Sequence, residues 1–140
     1  MLLELKKEGF FQMSKTLIFL FMLFMFVTPD GPVFVEKLED SFIESKQSNK
    51  DLLIVFSADW CSNCVVFKKH LMEDNSSLSN MVVCIIDFDS NTDLVKEYNV
   101  RKIPDFRYYR NSVELSQKIG YSNKEQFAKW IQSTSSMNGR

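Results

Sequence analysis

The chain has 140 residues, of which 45% are apolar and 25% charged, with 13 phenylalanines among them; such a composition buries a core and excludes disorder. A formal charge of −1 and scattered Lys and Arg leave no basic footprint for a nucleic acid. Three cysteines are too few for a disulfide scaffold, and an odd number leaves at least one thiol without a partner.

The first feature in chain order is the uninterrupted apolar run Leu17 to Val27, preceded by Lys6, Lys7 and Lys15 and followed by Thr28, Pro29, Asp30, Gly31 and Pro32. Basic, apolar, then turn-forming is the layout of a secretory segment, and eleven apolar residues fit a signal core better than the roughly 20 of a spanning helix. No small-x-small site follows Val27, so an uncleaved anchor over residues 16–28 stays open beside the cleaved signal. A core helix does not fit, because the run has no polar face. Lysines on the N-terminal side leave that end cytoplasmic and send the rest across, making the protein membrane-anchored or secretory with its domain on the non-cytoplasmic side.

Residues 1–32 are therefore read as signal or anchor plus linker, 33–135 as one domain, and 136–140 as a flexible tail, with fraying expected from Ser133 onward. Val33 to Ser48 carries apolar residues near helical spacing at Phe34, Val35, Leu38, Phe42 and Ile43, which predicts a helix. Leu52 to Phe56 and Met81 to Phe88 are continuous, branched apolar runs suited to strands buried on both faces. Between them, Cys61 to Met72 suits a helix with Asp59 as a possible cap and Cys64, Val65, Phe67, Lys68 through its stem, Leu71 and Met72 as its apolar side.

A short helix over Thr92 to Tyr98 follows, closed by Asn99. Phe106 to Tyr109 and Val113 to Ile119, turning at Arg110 to Ser112, read as an antiparallel hairpin stopped by Gly120. A last helix begins near Ser122 or Asn123, with Phe127, Trp130 and Ile131 as its apolar stripe. The class is α/β with a central mixed β-sheet flanked by helices.

Trp60-Cys61-Ser62-Asn63-Cys64 sits where a buried strand gives way to a helix. Residues three apart in a first helical turn bring their Cα atoms within about 5 to 5.5 Å, so a disulfide can close and open with little backbone movement. Cys61, at the helix N-terminus, would be the nucleophile, because free amides and the macrodipole there favour a thiolate. Cys64, one turn further in, would resolve the mixed disulfide. Zinc would need two more soft ligands, and only Cys84, within an apolar strand, and the single histidine, His70, are available. Cys84 reads as a small buried residue and His70 as a solvated one, so no metal is assigned.

Leu52-Leu-Ile-Val-Phe-Ser-Ala-Asp-Trp-Cys-Ser-Asn-Cys64, then Ile103-Pro104, then Gly120 before a final helix, resembles the thioredoxin family over nearly the whole domain. The resemblance implies a thioredoxin-like fold and a thiol-disulfide oxidoreductase acting on protein thiols and disulfides without metal or organic cofactor. It also implies a cis Ile103-Pro104 peptide against the cysteines, main-chain pairing of Ile103 with an extended substrate, and Trp60 as an apolar rim, with Pro104 and Asp105 beside them in the substrate site. Trp60 as a plain core aromatic stays open.

Three departures from the family pattern bear on the chemistry. Val55 stands where thioredoxins carry a buried carboxylate, the usual proton acceptor for the second cysteine. Ser62-Asn63 replaces Gly-Pro between the cysteines, and Asp105 replaces the common Thr after the proline, where a carboxylate near Cys61 would oppose thiolate formation. The rival reading is a thioredoxin-fold binding module with a static disulfide, tethered to a membrane.

Overall fold

A computed structural model describes residues 31–137, so the apolar run and its linker up to residue 30, and residues 138–140, lie outside the described part. The chain forms β1 (Val33–Val35), α1 (Leu38–Ser48), β2 (Asp51–Ser57), α2 (Ser62–Glu73), a 3-10 turn (Ser76–Leu78), β3 (Met81–Asp87), α3 (Thr92–Glu97), β4 (Asp105–Arg110), β5 (Val113–Ile119) and α4 (Lys124–Ser135). The strands make one sheet in the order β1-β3-β2-β4-β5, with β1, β3 and β2 parallel and β4 and β5 antiparallel.

Two helices cover each face. On one, α2 and α4 pack Phe67, Leu71, Phe127 and Ile131 against Leu53, Val55, Val83, Phe106 and Tyr108. On the other, α1 and α3 set Leu38, Phe42, Leu94 and Val95 over Leu52, Ile54, Phe56, Val82 and Cys84. Because β2 and β3 are the inner parallel strands, both of their faces need apolar residues, which explains their unbroken runs.

Several expectations are corrected. The helix expected from Val33 begins only at Leu38, because Val33 to Val35 pair with Val82 to Cys84 as an edge strand. On α2, Val65 and Met72 are exposed, and the buried side is Cys64, Phe67 and Leu71, the i, i+3, i+7 stripe. At the C-terminus Ser133 to Ser135 do not fray but continue α4. Thr134 there is buried, and Arg110 donates to the carbonyls of Ser135 and Met137 at 2.9 and 2.7 Å.

The β4-β5 hairpin lies where the alternation put it, its two-residue turn made by Asn111 and Ser112 at φ 51° and 65°. Asn123 caps α4, its Oδ1 accepting from the Gln126 N–H at 2.9 Å. Among the described residues no helix is long and apolar enough to cross a membrane.

Candidate active site

The site stands at the end of β2. After Ser57 the chain turns through Ala58, whose carbonyl accepts from the Cys61 N–H at 3.3 Å, and enters α2. Cys61 itself occupies the N-cap, in place of the Asp59 considered from the sequence, and its Sγ accepts from the Cys64 N–H at 3.3 Å. Asp59 lies out on the surface and pairs with Lys68 at 3.0 Å.

Cys61 and Cys64 form a disulfide with Cα atoms 5.2 Å apart. The two cysteines differ in access: Cys61 keeps 8% of its surface and Cys64 none. Around them pack Ala58, Phe88 and Ile103, all apolar. The donor on Cys61 and the free amides of the first turn of α2 both favour negative charge on that sulfur once the bridge is open.

Trp60 is 67% exposed, which excludes the core-aromatic reading. Its indole N–H donates to Asp89 Oδ2 at 2.7 Å, and its ring stands edge-on to Phe88. Neither Phe88 nor Asp89, at the end of β3, was reached from the sequence; the only signal available was their place just after a buried strand parallel to β2, and strand ends gather at one edge of such a sheet.

The Ile103-Pro104 peptide is cis, and Ile103 packs against the cysteine pair. The Pro104 carbonyl is taken by the Gly120 N–H at 2.8 Å, whereas among the described residues no hydrogen bond occupies the backbone of Ile103. Asp105 is not the free opposing charge that the sequence reading sets near Cys61. It is 1% exposed, and its carboxylate is gripped by Arg107 at 2.8 and 3.0 Å and by Gln117 at 3.0 Å. The guanidinium neutralises it, and no free oxygen faces a substrate.

Cys84 is buried and unpaired in β3, and burial pushes its thiol up from its ordinary range despite a hydrogen bond with Ser41. His70 is not freely solvated: its Nδ1 lies 2.8 Å from the Tyr121 hydroxyl, joining α2 to the segment before α4. Among the described residues no cluster of His, Cys, Asp or Glu could hold a metal ion. Val55, in place of a carboxylate, is fully buried in the apolar core under α2.

A model of the family described as thioredoxin matches residues 33–133. Among curated relatives, thioredoxin H2 of Arabidopsis thaliana is 35% identical over 60% of this chain and 63% of its own. Thioredoxin of Callithrix jacchus is 30% identical, covering 62% of this chain and 84% of its own. Thioredoxin of Rickettsia bellii is 28% identical over 63% and 85%. Of solved structures, a wild-type poplar thioredoxin h superposes with a TM-score of 0.66 at 21% identity, covering 77% of this chain and 99% of its own, a likeness of fold. The family match spans the whole described sheet, and the chain belongs to the thioredoxin family as a thiol-disulfide oxidoreductase.

Proposed function

We propose that the protein exchanges disulfides with protein substrates through attack by Cys61 and resolution by Cys64. The observation that carries this reading is the unequal access of two cysteines bridged across the first turn of α2, Cys61 keeping a small exposed part and Cys64 sealed beneath it. The Cys61 thiolate attacks a substrate disulfide; one substrate sulfur joins Cys61, and the other leaves and takes a proton. The Cys64 thiolate then attacks Cys61 Sγ, the internal disulfide closes, and the second substrate sulfur leaves. Two electrons pass from the pair to the substrate, and the reverse sequence oxidises a dithiol.

Trp60 supplies an exposed apolar rim, and the free backbone of Ile103 offers a donor and an acceptor to an extended segment laid across Pro104, a form of strand addition. Asp105 has no part in this docking, since Arg107 and Gln117 hold it. The chemistry needs no metal or organic cofactor.

We infer from composition alone that the apolar run Leu17 to Val27 carries the domain to or across a membrane, as cleaved signal or as an anchor over residues 16–28, with the domain on the non-cytoplasmic side. Retention of a C-terminally tagged chain in membranes after alkaline extraction identifies an anchor, its release after shortening a cleaved signal, and an unshortened chain in the cytoplasm rejects both.

The exchange reading is tested by the equilibrium reduction potential of the pair, with insulin reduction followed in parallel and Cys61→Ser as control. Turnover that Cys61→Ser abolishes, with a potential near −270 mV, marks a reductase; a potential of about −120 to −180 mV marks an oxidant or isomerase. The second reading, a binding module with a static bridge, is favoured by the wholly apolar packing around the pair. Inertness in glutathione buffers together with absent turnover would establish it instead.

A further inference from the structure

Exchange requires a proton to leave Cys64, because the thiolate and not the thiol attacks. The surroundings of Cys64 oppose that step. The residue is fully buried, and the apolar side chains about the pair, Ala58, Phe88 and Ile103, neither take nor give a proton. Among the described residues the one hydrogen bond to either sulfur ends on Cys61. Charged groups on neighbouring elements are engaged elsewhere: Asp59 with Lys68, Asp87 with Ser90, Asp89 with Trp60, and Asp105 with Arg107.

One polar atom in this region has no partner. Ser57 is 1% exposed, and among the described residues its Oγ is the only buried side-chain oxygen or nitrogen that makes no hydrogen bond within the protein. Other buried hydroxyls are satisfied: Ser41 donates to the Leu38 carbonyl at 2.6 Å, and Thr134 to that of Trp130 at 2.8 Å. An orphan hydroxyl costs free energy that an alanine at the same place would not, so its presence calls for a water or a function.

Its position suits one function. Ser57 ends β2, and the alternation of the strand puts it on the face of Leu53 and Val55, against which Phe67 and Leu71 of α2 are packed. Cys64, Phe67 and Leu71 share the buried stripe of α2, so Ser57 and Cys64 belong to the same strand-helix interface at its end nearest the motif. The next residue, Ala58, touches the cysteine pair.

We propose that Ser57 is the positioning residue for proton release from Cys64, its hydroxyl holding a water that takes the thiol proton as Cys64 attacks the Cys61 sulfur. The balance closes within the exchange: the S–S bond between substrate and Cys61 breaks, the Cys61-Cys64 bond forms, and the proton lost at Cys64 is matched by the one that the leaving substrate sulfur gains. The proposal rests on the reading that Cys64 resolves the mixed disulfide.

The test uses the reduced full-length chain in mild detergent and a chromogenic aromatic disulfide. The first thiolate released reports attack by Cys61, and the second reports resolution by Cys64, each followed from pH 5.5 to 9. In Ser57→Ala the second step is expected to slow by about tenfold or more, a modest share of what proton transfer by a placed group contributes. Its pH midpoint is expected to rise while the first step keeps its rate. Ser57→Thr, which keeps the hydroxyl, should recover most of the lost rate.

Thermal melting of the same samples guards the interpretation, because Ser57 makes no side-chain hydrogen bond to the protein whose loss would lower the midpoint. An unchanged rate and pH profile for the second step in Ser57→Ala overturns the proposal, whatever the melting point does. Wild-type insulin turnover separates the two claims: active wild type with an unchanged variant profile removes only the role of Ser57, whereas inert wild type removes the exchange reading and this proposal with it.

Discussion

The two faces of β4 solve the problem of burial in opposite ways. Phe106 and Tyr108 point into the aromatic cluster under α2 and α4, where Phe106 meets Phe67 and Phe127 at ring-centroid distances of 4.9 and 5.0 Å. Asp105 and Arg107 point the other way, toward α3, and form a buried ion pair that also reaches Glu114 at 3.4 Å and the Tyr98 carbonyl at 2.8 Å. One face is held by area and shape, the other by charges that are acceptable only in company. Adjacent residues of one strand thus respond to substitution by different rules.

The largest effects should come from breaking each face singly. Phe106→Ala is expected to cost about 3–5 kcal/mol by denaturant unfolding, since it opens a cavity in a packed cluster. Arg107→Leu should cost a similar 3–5 kcal/mol, because it strands the Asp105 carboxylate away from water. The two then separate on a second substitution: adding Asp105→Leu to Arg107→Leu should return stability to near the wild type or above it. No single further change restores Phe106→Ala. If the double variant stays as unstable as Arg107→Leu, the ionic face is held by shape after all.

A middle-sized effect belongs to Asp51, at the start of β2. Burial works to raise its pKa, but hydrogen bonds from Arg110 and Tyr108 and the charge of Arg110 outweigh that and hold the carboxyl below its ordinary value of 3.8. A carboxyl depressed in the folded state contributes stability that is present above its unfolded value and lost as pH falls through the folded one. Asp51→Asn is expected to cost about 1.5–3 kcal/mol at pH 7, and its unfolding curve should converge on that of the wild type as the pH drops below 3.8. A gap that persists in acid would show that shape and not charge sets the contribution of Asp51.

The smallest effect is expected at Cys84, on the ionic face. Its buried, raised thiol should stay unlabelled when the reduced native protein is treated with iodoacetamide at neutral pH, so that mass spectrometry finds alkyl groups within Cys61-Cys64 alone. Labelling of Cys84 at a comparable rate would mean that α1 opens readily from the sheet.

What the sequence made legible follows the range of the forces involved. β2 and β3 announce themselves because strands buried on both faces need unbroken apolar runs, and the hairpin and α4 because their patterns and caps are local. The cysteine pair is legible for the same reason, since its spacing and its place at a strand end lie within a few residues. β1 is not: three residues become a strand only because β3, far along the chain, supplies the pairing. The role of Asp105 is harder to read because it depends on Arg107, although opposite charges two apart on a strand share a face and signal such a pair. Ser57 is invisible in sequence, as an unremarkable serine becomes notable only when its surroundings prove to lack a partner.

The sheet order described above also decides what the sheet offers to other chains. An open strand edge is a template on which another chain can build, and among the described residues this sheet has two. One is β1, only three residues long and preceded by Pro32, too short to recruit a stable neighbour. The other is β5, seven residues long with Val113 and Ile119 exposed, and it is guarded instead by the charges of Glu114 and Lys118 and by an irregularity in its pairing at Tyr108/Tyr109. Glu114 is also the outer member of the ionic cluster behind β4, so the network that settles the buried face of that strand also places a negative charge on the edge most exposed to unwanted assembly.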